Sequence, residues 1–350
     1  YHKAKKGATS TVVSVDIGGG TTDVLIVDKG EPKYLTSFRF AANTIFGDGY
    51  SYDSDSNGFV NKYKDIITNQ LETNNLRGLK AVLKSVLDKR VSTDVIAFLF
   101  SLASNKEIKK EKVEINFAKM LADDNRGKYV VILFYVAIVY HIAKLMKAKG
   151  FDMPRHMTFS GNGSKVLNIL STNDATLVRL TKIIFEEIYA QSYSIDGLDI
   201  IRPANSKEST CKGGIILTPF QSQDYGEIKD MKTILIGTDN EKFADVHMTY
   251  NDVTEADLDS VVDVIKEYIE FTFKLDKKFS FYDNFDVDRS IMNKVKDLCY
   301  RDIRTYLENG LAIKKSEIAQ DGADDNLEET LFFYPLVGII NAVVRNIYQM

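Results

Sequence analysis

The sequence predicts an α/β fold: a three-strand meander, then parallel strands with crossover helices, then a mostly helical C-terminal extension. Three observations carry this expectation. β-type runs crowd the N-terminal part, at residues 11–15, 24–27 and 34–40. Short strand-like runs at 157–160 and 198–201 then alternate with helical segments. Beyond Asn251 the apolar residues recur almost entirely at helical spacing.

Each element follows from its residues. Val12-Val13-Ser14-Val15 runs into Asp16, the glycines of Gly18-Gly19-Gly20 turn the chain, and Val24-Leu25-Ile26-Val27 carries it back. Asp28-Lys29-Gly30-Glu31-Pro32 has the turn chemistry that joins a second hairpin. A loop over 43–58 contains Gly47-Asp48-Gly49 and then alternating Ser, Asp and Tyr. Residues 59–122 are polar and mostly helical, with apolar period at 76–87 and 95–102. Within them the run 106–112 (KEIKKEK) reads as a solvated face.

Residues 129–146 (YVVILFYVAIVYHIAKLM) are almost wholly apolar. Only fifteen residues separate Lys128 from Lys144, and His141 is one of them. A membrane span needs about 20, so a buried core helix is expected. A strand at 157–160 then ends in Gly161-Asn162-Gly163-Ser164-Lys165, with helices at 166–170 and 175–190 and a strand at 198–201. Residues 206–217 read as a helix containing Gly213-Gly214. A hairpin is expected over 231–237 and 243–250, around Gly237-Thr238-Asp239-Asn240. Helices follow at 260–273, 291–307 and 331–348, and the acidic stretch 321–329 reads as a mobile loop. No internal repeat or low-complexity tract interrupts this order.

Composition bounds the function. With 350 residues, two or three structural units are expected. Hydrophobic residues at 44% and charged ones at 27% are ordinary for a globular protein. A net charge of −4 gives no support to nucleic acid as a partner. Cys211 and Cys299 are too few and too far apart for a disulfide framework or a Cys-based zinc site. Together with the lack of a signal peptide they point to a cytoplasmic protein. His2, His141, His156 and His247 show no ligand spacing. The chain does not begin with Met, so it is expected to be processed or an excerpt of a longer protein.

The chemistry concentrates in Asp16-Ile17-Gly18-Gly19-Gly20-Thr21-Thr22-Asp23. Glycines let backbone N–H groups close on phosphate oxygens, because no Cβ intervenes. Thr21 and Thr22 supply hydroxyl donors, and Asp16 can hold a hydrated Mg²⁺ or orient a water. The octapeptide resembles the second phosphate motif of the actin, hexokinase and seventy-kilodalton heat-shock chaperone superfamily, in its chaperone form Asp-x-Gly-Gly-Gly-Thr-x-Asp. The second turn, about 140 residues later, is similar to the adenosine motif of that superfamily. There Gly161 and Gly163 would let a flat base lie on the backbone, Ser164 would bond the ribose or adenine, and the Lys165 stem would cover the ring. Asn162 stands where a glycine is most frequent. Gly47-Asp48-Gly49 resembles the glycine pair near the terminal phosphate, and Gly213-Gly214 the helix crossing at the interdomain hinge. Asp53 and Asp55 read as loop solubilisers. Neither the Gly-x-x-x-x-Gly-Lys-Ser/Thr loop, the Gly-x-Gly-x-x-Gly fingerprint nor the Gly-x-Ser-x-Gly elbow occurs.

The resemblance implies a ribonuclease-H-like lobe of an actin/chaperone-type ATPase. Its core would be 1–58 and 123–218, with 59–122 as a helical lid-like insertion and 219–350 as the helical extension. Its cofactors would be ATP or ADP and Mg²⁺, with Asp16 as the catalytic and metal-holding carboxylate and Asp23 assisting ion binding. The similarity covers residues 11–218, the second half of such a fold. The first lobe, with its own Asp-x-Gly-Thr turn, is expected to precede residue 1, and without it nucleotide binding should be poor and ATPase activity incomplete. Two alternatives stand beside this: a non-hydrolysing scaffold or filament-forming module whose C-terminal helices bind a protein partner or a second copy, and a sugar or acetate kinase. For the apolar helix at 331–348, packing on its own chain is the simplest expectation.

Overall fold

A computed structural model describes residues 10–47, 49, 57–193, 197–203, 229–230, 235–239, 241–244, 247–321, 325–327 and 329–350. The strands form one mixed sheet of order β5-β4-β1-β2-β3-β6. β1 (Val12–Ile17), β2 (Thr22–Asp28) and β3 (Glu31–Phe38) make the antiparallel meander. β4 (His156–Ser160) and β5 (Asp199–Ile201) add in parallel on the free side of β1, and the two-residue β6 (Lys229–Asp230) on that of β3. Strand β1 is therefore central, and its alternation sends Val13, Val15 and Ile17 into the core while Ser14 and Asp16 face the other side. The register between β2 and β3 slips at Ile26/Val27, opposite Pro32, a residue with no N–H to give the ladder.

Among the described residues nine α-helices lie between the meander and β5: α1 (Ala42–Phe46), α2 (Gly58–Thr73), α3 (Arg77–Asp88), α4 (Ser92–Ser101), α5 (Lys106–Lys110), α6 (Phe117–Ala122) and α7 (Lys128–Ala148) precede β4. After β4 come the one-turn α8 (Leu167–Leu170) and then α9 (Asp174–Tyr189), the ninth helix in chain order. Helix α7 is the expected core helix. It is the one helix among the described residues long and apolar enough to cross a membrane, yet 94% of its apolar window is buried inside the protein. The polar atoms it brings inward are satisfied: the Tyr135 hydroxyl meets Thr181, and Tyr268 donates to the Leu133 carbonyl at 2.7 Å. Burial pushes His141 down to about 3, so it is a neutral ring packed among Phe38, Phe332 and Phe333.

The C-terminal helices are α10 (Glu255–Phe279), α11 (Phe281–Phe285), α12 (Met292–Tyr300), α13 (Ile303–Asp321) and α14 (Phe333–Asn346). Thr254 and Asp257 close a capping box on α10. The single helix expected at 291–307 is two, broken where Asp302 takes φ 54°. Helix α14 tolerates Pro335 because it sits in the first turn, where no intrahelical N–H is required. It packs against α1, α2, α7, α12 and α13, and Phe333 stacks on Phe38 and Phe40 at 4.1 and 4.7 Å. Just beyond it, Tyr348 and Tyr63 both donate to buried Asp124, which Lys62 also contacts at 2.9 Å. Despite its burial, these partners hold the Asp124 carboxyl below the usual range. The sheet and the C-terminal helices thus share one continuous hydrophobic core.

Of the hairpin expected over 231–237 and 243–250, residues 231–234, 240, 245 and 246 lie outside the described residues. Glu241–Ala244 is a 3₁₀ turn, and Thr249 makes an antiparallel bridge with Asn326. Tyr250 N–H donates to Asp325 and Leu327 N–H to Met248, which pins the centre of the stretch expected to be a mobile loop. Asp48, Asp53, Asp55, Cys211 and the Gly213-Gly214 pair lie outside the described residues.

Candidate functional site

Register sets the first turn. Asp16 pairs with Asp23 and Ile17 with Thr22, leaving 18–21 to cross between strands, closed by Gly18 N–H donating to the Thr21 carbonyl at 2.9 Å. The next helix holds this turn. The first N–H groups of α1, from Ala42 and Asn43, donate to the carbonyls of Gly18 and Gly19 at 3.2 and 2.8 Å. With those carbonyls turned to α1, Gly19, Gly20 and Thr21 stand exposed. Thr22 does not join them: it is fully buried, and its hydroxyl donates to the Phe40 carbonyl at 2.7 Å. It braces the turn from the core side.

Asp16 is half-buried between Asp23, across the antiparallel ladder, and Ser160, across the parallel one. Its carboxyl is raised above the ordinary aspartate value; burial is the main cause, the Ser160 hydrogen bond opposes it, and the charge of Asp23 adds to it. Among the described residues no group of three or more His, Cys, Asp or Glu side chains comes together, so Asp16 and Asp23 are the carboxylates at this turn.

The second turn lies directly against the first. Gly161 has φ +80°, and a Cβ on it would stand 2.2 Å from both Asp16 Oδ1 and the Ile17 carbonyl. A Cβ on Gly163 would stand 2.2 Å from the Gly18 carbonyl. Only glycine lets these two backbones meet. Ser164 is buried, and its hydroxyl donates to the Gly161 carbonyl at 2.8 Å. Asn162 and Lys165 are exposed.

Beside the paired turns opens a groove of about 620 Å³. Gly19 and Asn43 edge it on one side, and Asn162, Gly163 and Lys165 on the other. Phe46, Ile96, Phe100 and Ile169 give it an apolar wall, with Thr93 and Asn168 among its polar groups. The turns at 18–21 and 161–165, which begin 143 positions apart in the sequence, are therefore brought together. Gly47 and Gly49 are not. They sit at the other end of α1: the Gly47 carbonyl accepts from Asn57 at 3.0 Å and Asn341 at 3.5 Å, and Gly49, with φ +58°, fits against Asn341. Gly47 closes the end of α1, where a Cβ would fall 2.4 Å from the Asn43 carbonyl, and a Cβ on Gly49 would fall 2.7 Å from the Asn341 side chain of α14.

The sequence reading missed Asn43, whose side chain lies beside Gly19, and the wall contributed by α4. The available signal for Asn43 was its place at the start of a helix directly after the third strand. For Ile96 and Phe100 there was none, because helical period marks a buried face without saying what it faces. No model of a known protein family matches the chain, and no curated protein matches it either.

Proposed function

We propose that this chain is the ATP-binding lobe of an ATPase of the actin and seventy-kilodalton chaperone type, ribonuclease-H-like in its sheet. The observation that carries the reading is the backbone contact between two glycine turns far apart in sequence, at the mouth of one groove. The meander followed by parallel strands on the far side of β1 supports the fold assignment, and a groove at the carboxyl ends of β1 and β4 is a favoured ligand position in α/β folds.

In this reading the exposed amides of Gly19, Gly20 and Thr21 receive the terminal phosphates, while α1 holds the turn's carbonyls away from them. Asn43 and Lys165 flank the same anion from opposite sides. The base lies over Asn162 and Gly163, against the wall of Phe46, Ile96 and Phe100. The donor set suits Mg²⁺: two neighbouring carboxylates, one of them raised by burial and by the other's charge, are stabilised by a cation. Mg²⁺ held through water at Asp16 and Asp23 would neutralise charge on the phosphates. The catalytic role falls to Asp16, whose raised carboxyl is also suited to accept a proton from a water. Hydrolysis needs the partner lobe that the resemblance implies.

Calorimetry with Mg-ATP on the complete protein tests this. Binding that is lost in Asp16→Ala and in Gly19→Val, with the fold retained, is the expected result. Full affinity in Gly19→Val would sink the assignment, and no binding in the wild type would favour a non-hydrolysing scaffold.

A further inference from the structure

The helical stretch α2–α6 leaves the rest of the chain and returns to it at two crossings, one between α1 and α2, the other over 123–127 before α7. It forms one side of the groove: Thr93, Ile96 and Phe100 of α4 and Ala118 of α6 line it together with Asn162 and Lys165 of the second turn. Elsewhere in the chain, α4 packs on α1, α6 on α8, and α2 on α14. Helices α1 and α8 line the groove themselves, whereas none of its described lining residues belongs to α14.

What α14 reaches is both crossings. At the first, the Gly47 carbonyl accepts from Asn57 at 3.0 Å and from Asn341 at 3.5 Å, and a Cβ on Gly58 would stand 1.9 Å from the Val344 carbonyl. At the second, Tyr348, just beyond α14, donates to Asp124. A Cβ on Gly127 there would stand 2.9 Å from both the Tyr348 hydroxyl and the Asp124 carboxylate. Glycine at 58 and 127 thus permits an approach that any side chain would block. The Tyr348 ring also holds α2, meeting Phe59 at 6.0 Å and lying 4.2 Å from the Lys62 ammonium. Asp124 joins these parts, because it accepts from Tyr63 of α2 at 2.9 Å and from the Gly127 N–H at 3.1 Å as well as from Tyr348.

We propose that α14 and Tyr348 form a latch across both crossings, and that α2–α6 swing on those crossings as one body, widening the groove when the latch is released. Two chain connections, each with a glycine, make a hinge, and a clamp that touches both fixes its angle. The contacts that part as the groove widens are those at its own edges, α4 on α1 and α6 on α8, among them the Phe46–Phe100 ring pair at 5.5 Å. Tyr348 does not line the groove, so a change there reaches it through the helices that Tyr348 holds. Groove and latch bias the same hinge, so a ligand that holds the groove shut also holds the latch closed.

Electron–electron double resonance on the full chain tests the swing, with spin labels at the exposed positions Lys109→Cys on α5 and Thr172→Cys beyond α8. Cys211→Ser removes one native thiol, and Cys299 is buried. With the latch intact the pair should show one distance. Tyr348→Ala should add a second, longer distance, and Tyr348→Phe, which keeps the ring and loses only the hydroxyl, a smaller share of it. A pair inside the moving body, Asn69→Cys with Lys109→Cys, should keep its distance in every variant. The wild-type distribution in a Tyr348→Ala protein of unchanged helix content overturns the proposal; if that variant does not fold, the same distribution in Tyr348→Phe does so. Broadening of both label pairs alike also overturns it, since that is melting of α2–α6 rather than a swing. No ligand enters the measurement, so its outcome is separate from the nucleotide assignment.

Discussion

The two glycine turns look alike in sequence and differ in what they need glycine for. In the second turn, Gly161 and Gly163 are required by the fold itself, since any Cβ would enter the backbone of β1 and of the first turn. In the first turn, a Cβ on Gly20 would meet nothing within 4 Å, and one on Gly19 only the Asn43 side chain at 3.5 Å. Packing does not require glycine at 19 or 20. An unneeded glycine costs conformational entropy on folding, so an open glycine pair on an exposed turn is best understood as room left for something that approaches the backbone. The second turn is a joint, and the first is a surface.

This contrast can be broken by substitution, and Gly161→Ala should have the largest effect. It combines a left-handed φ, worth about 1–2 kcal/mol, with overpacking of about 1–3 kcal/mol, so a loss of about 3 kcal/mol in urea unfolding is expected. Gly163→Ala lacks the φ penalty and should lose about 2 kcal/mol. If either variant unfolds like the wild type, the turns are not in backbone contact.

Asp16→Asn should act more weakly and in the opposite direction. The folded state raises the Asp16 carboxyl, so it binds the proton more tightly than the unfolded chain does. The stability this supplies is complete below the ordinary aspartate range and is lost as pH rises through the raised folded value. Asp16→Asn should therefore be the more stable protein at neutral pH, with the difference closing in acid. An unchanged gap across the titration would remove the burial account of Asp16. The smallest effect belongs to Gly20→Ala, whose stability should stay within about 0.5 kcal/mol of wild type or rise slightly, since alanine restricts the unfolded chain. A large loss there would erase the distinction between joint and surface.

Particular elements show what was legible beforehand. The meander, β4, β5 and helix α7 were readable because their signals are local: apolar runs of strand length, turn residues between them, and one long, almost wholly apolar stretch. Both turns at the groove were readable as glycine patterns. Their contact was not, because it depends on the parallel pairing of Asp16 with Ser160 across 144 residues. The packing of Gly47 and Gly49 was illegible for a related reason. A glycine pair after a strand suits a phosphate equally well as a helix seam, and only the arrival of Asn341 from α14 decides between them. The break in the helix at Asp302 and the Thr249–Asn326 bridge are likewise set by packing among distant segments, which overrides local period.

The central claim, that the two turns form one nucleotide site, is tested most directly by amide hydrogen exchange with and without Mg-ATP. The account predicts slowed exchange at 18–21 and 161–165 together, with both effects lost in Gly19→Val. Protection at only one of the turns, or at neither, would contradict it.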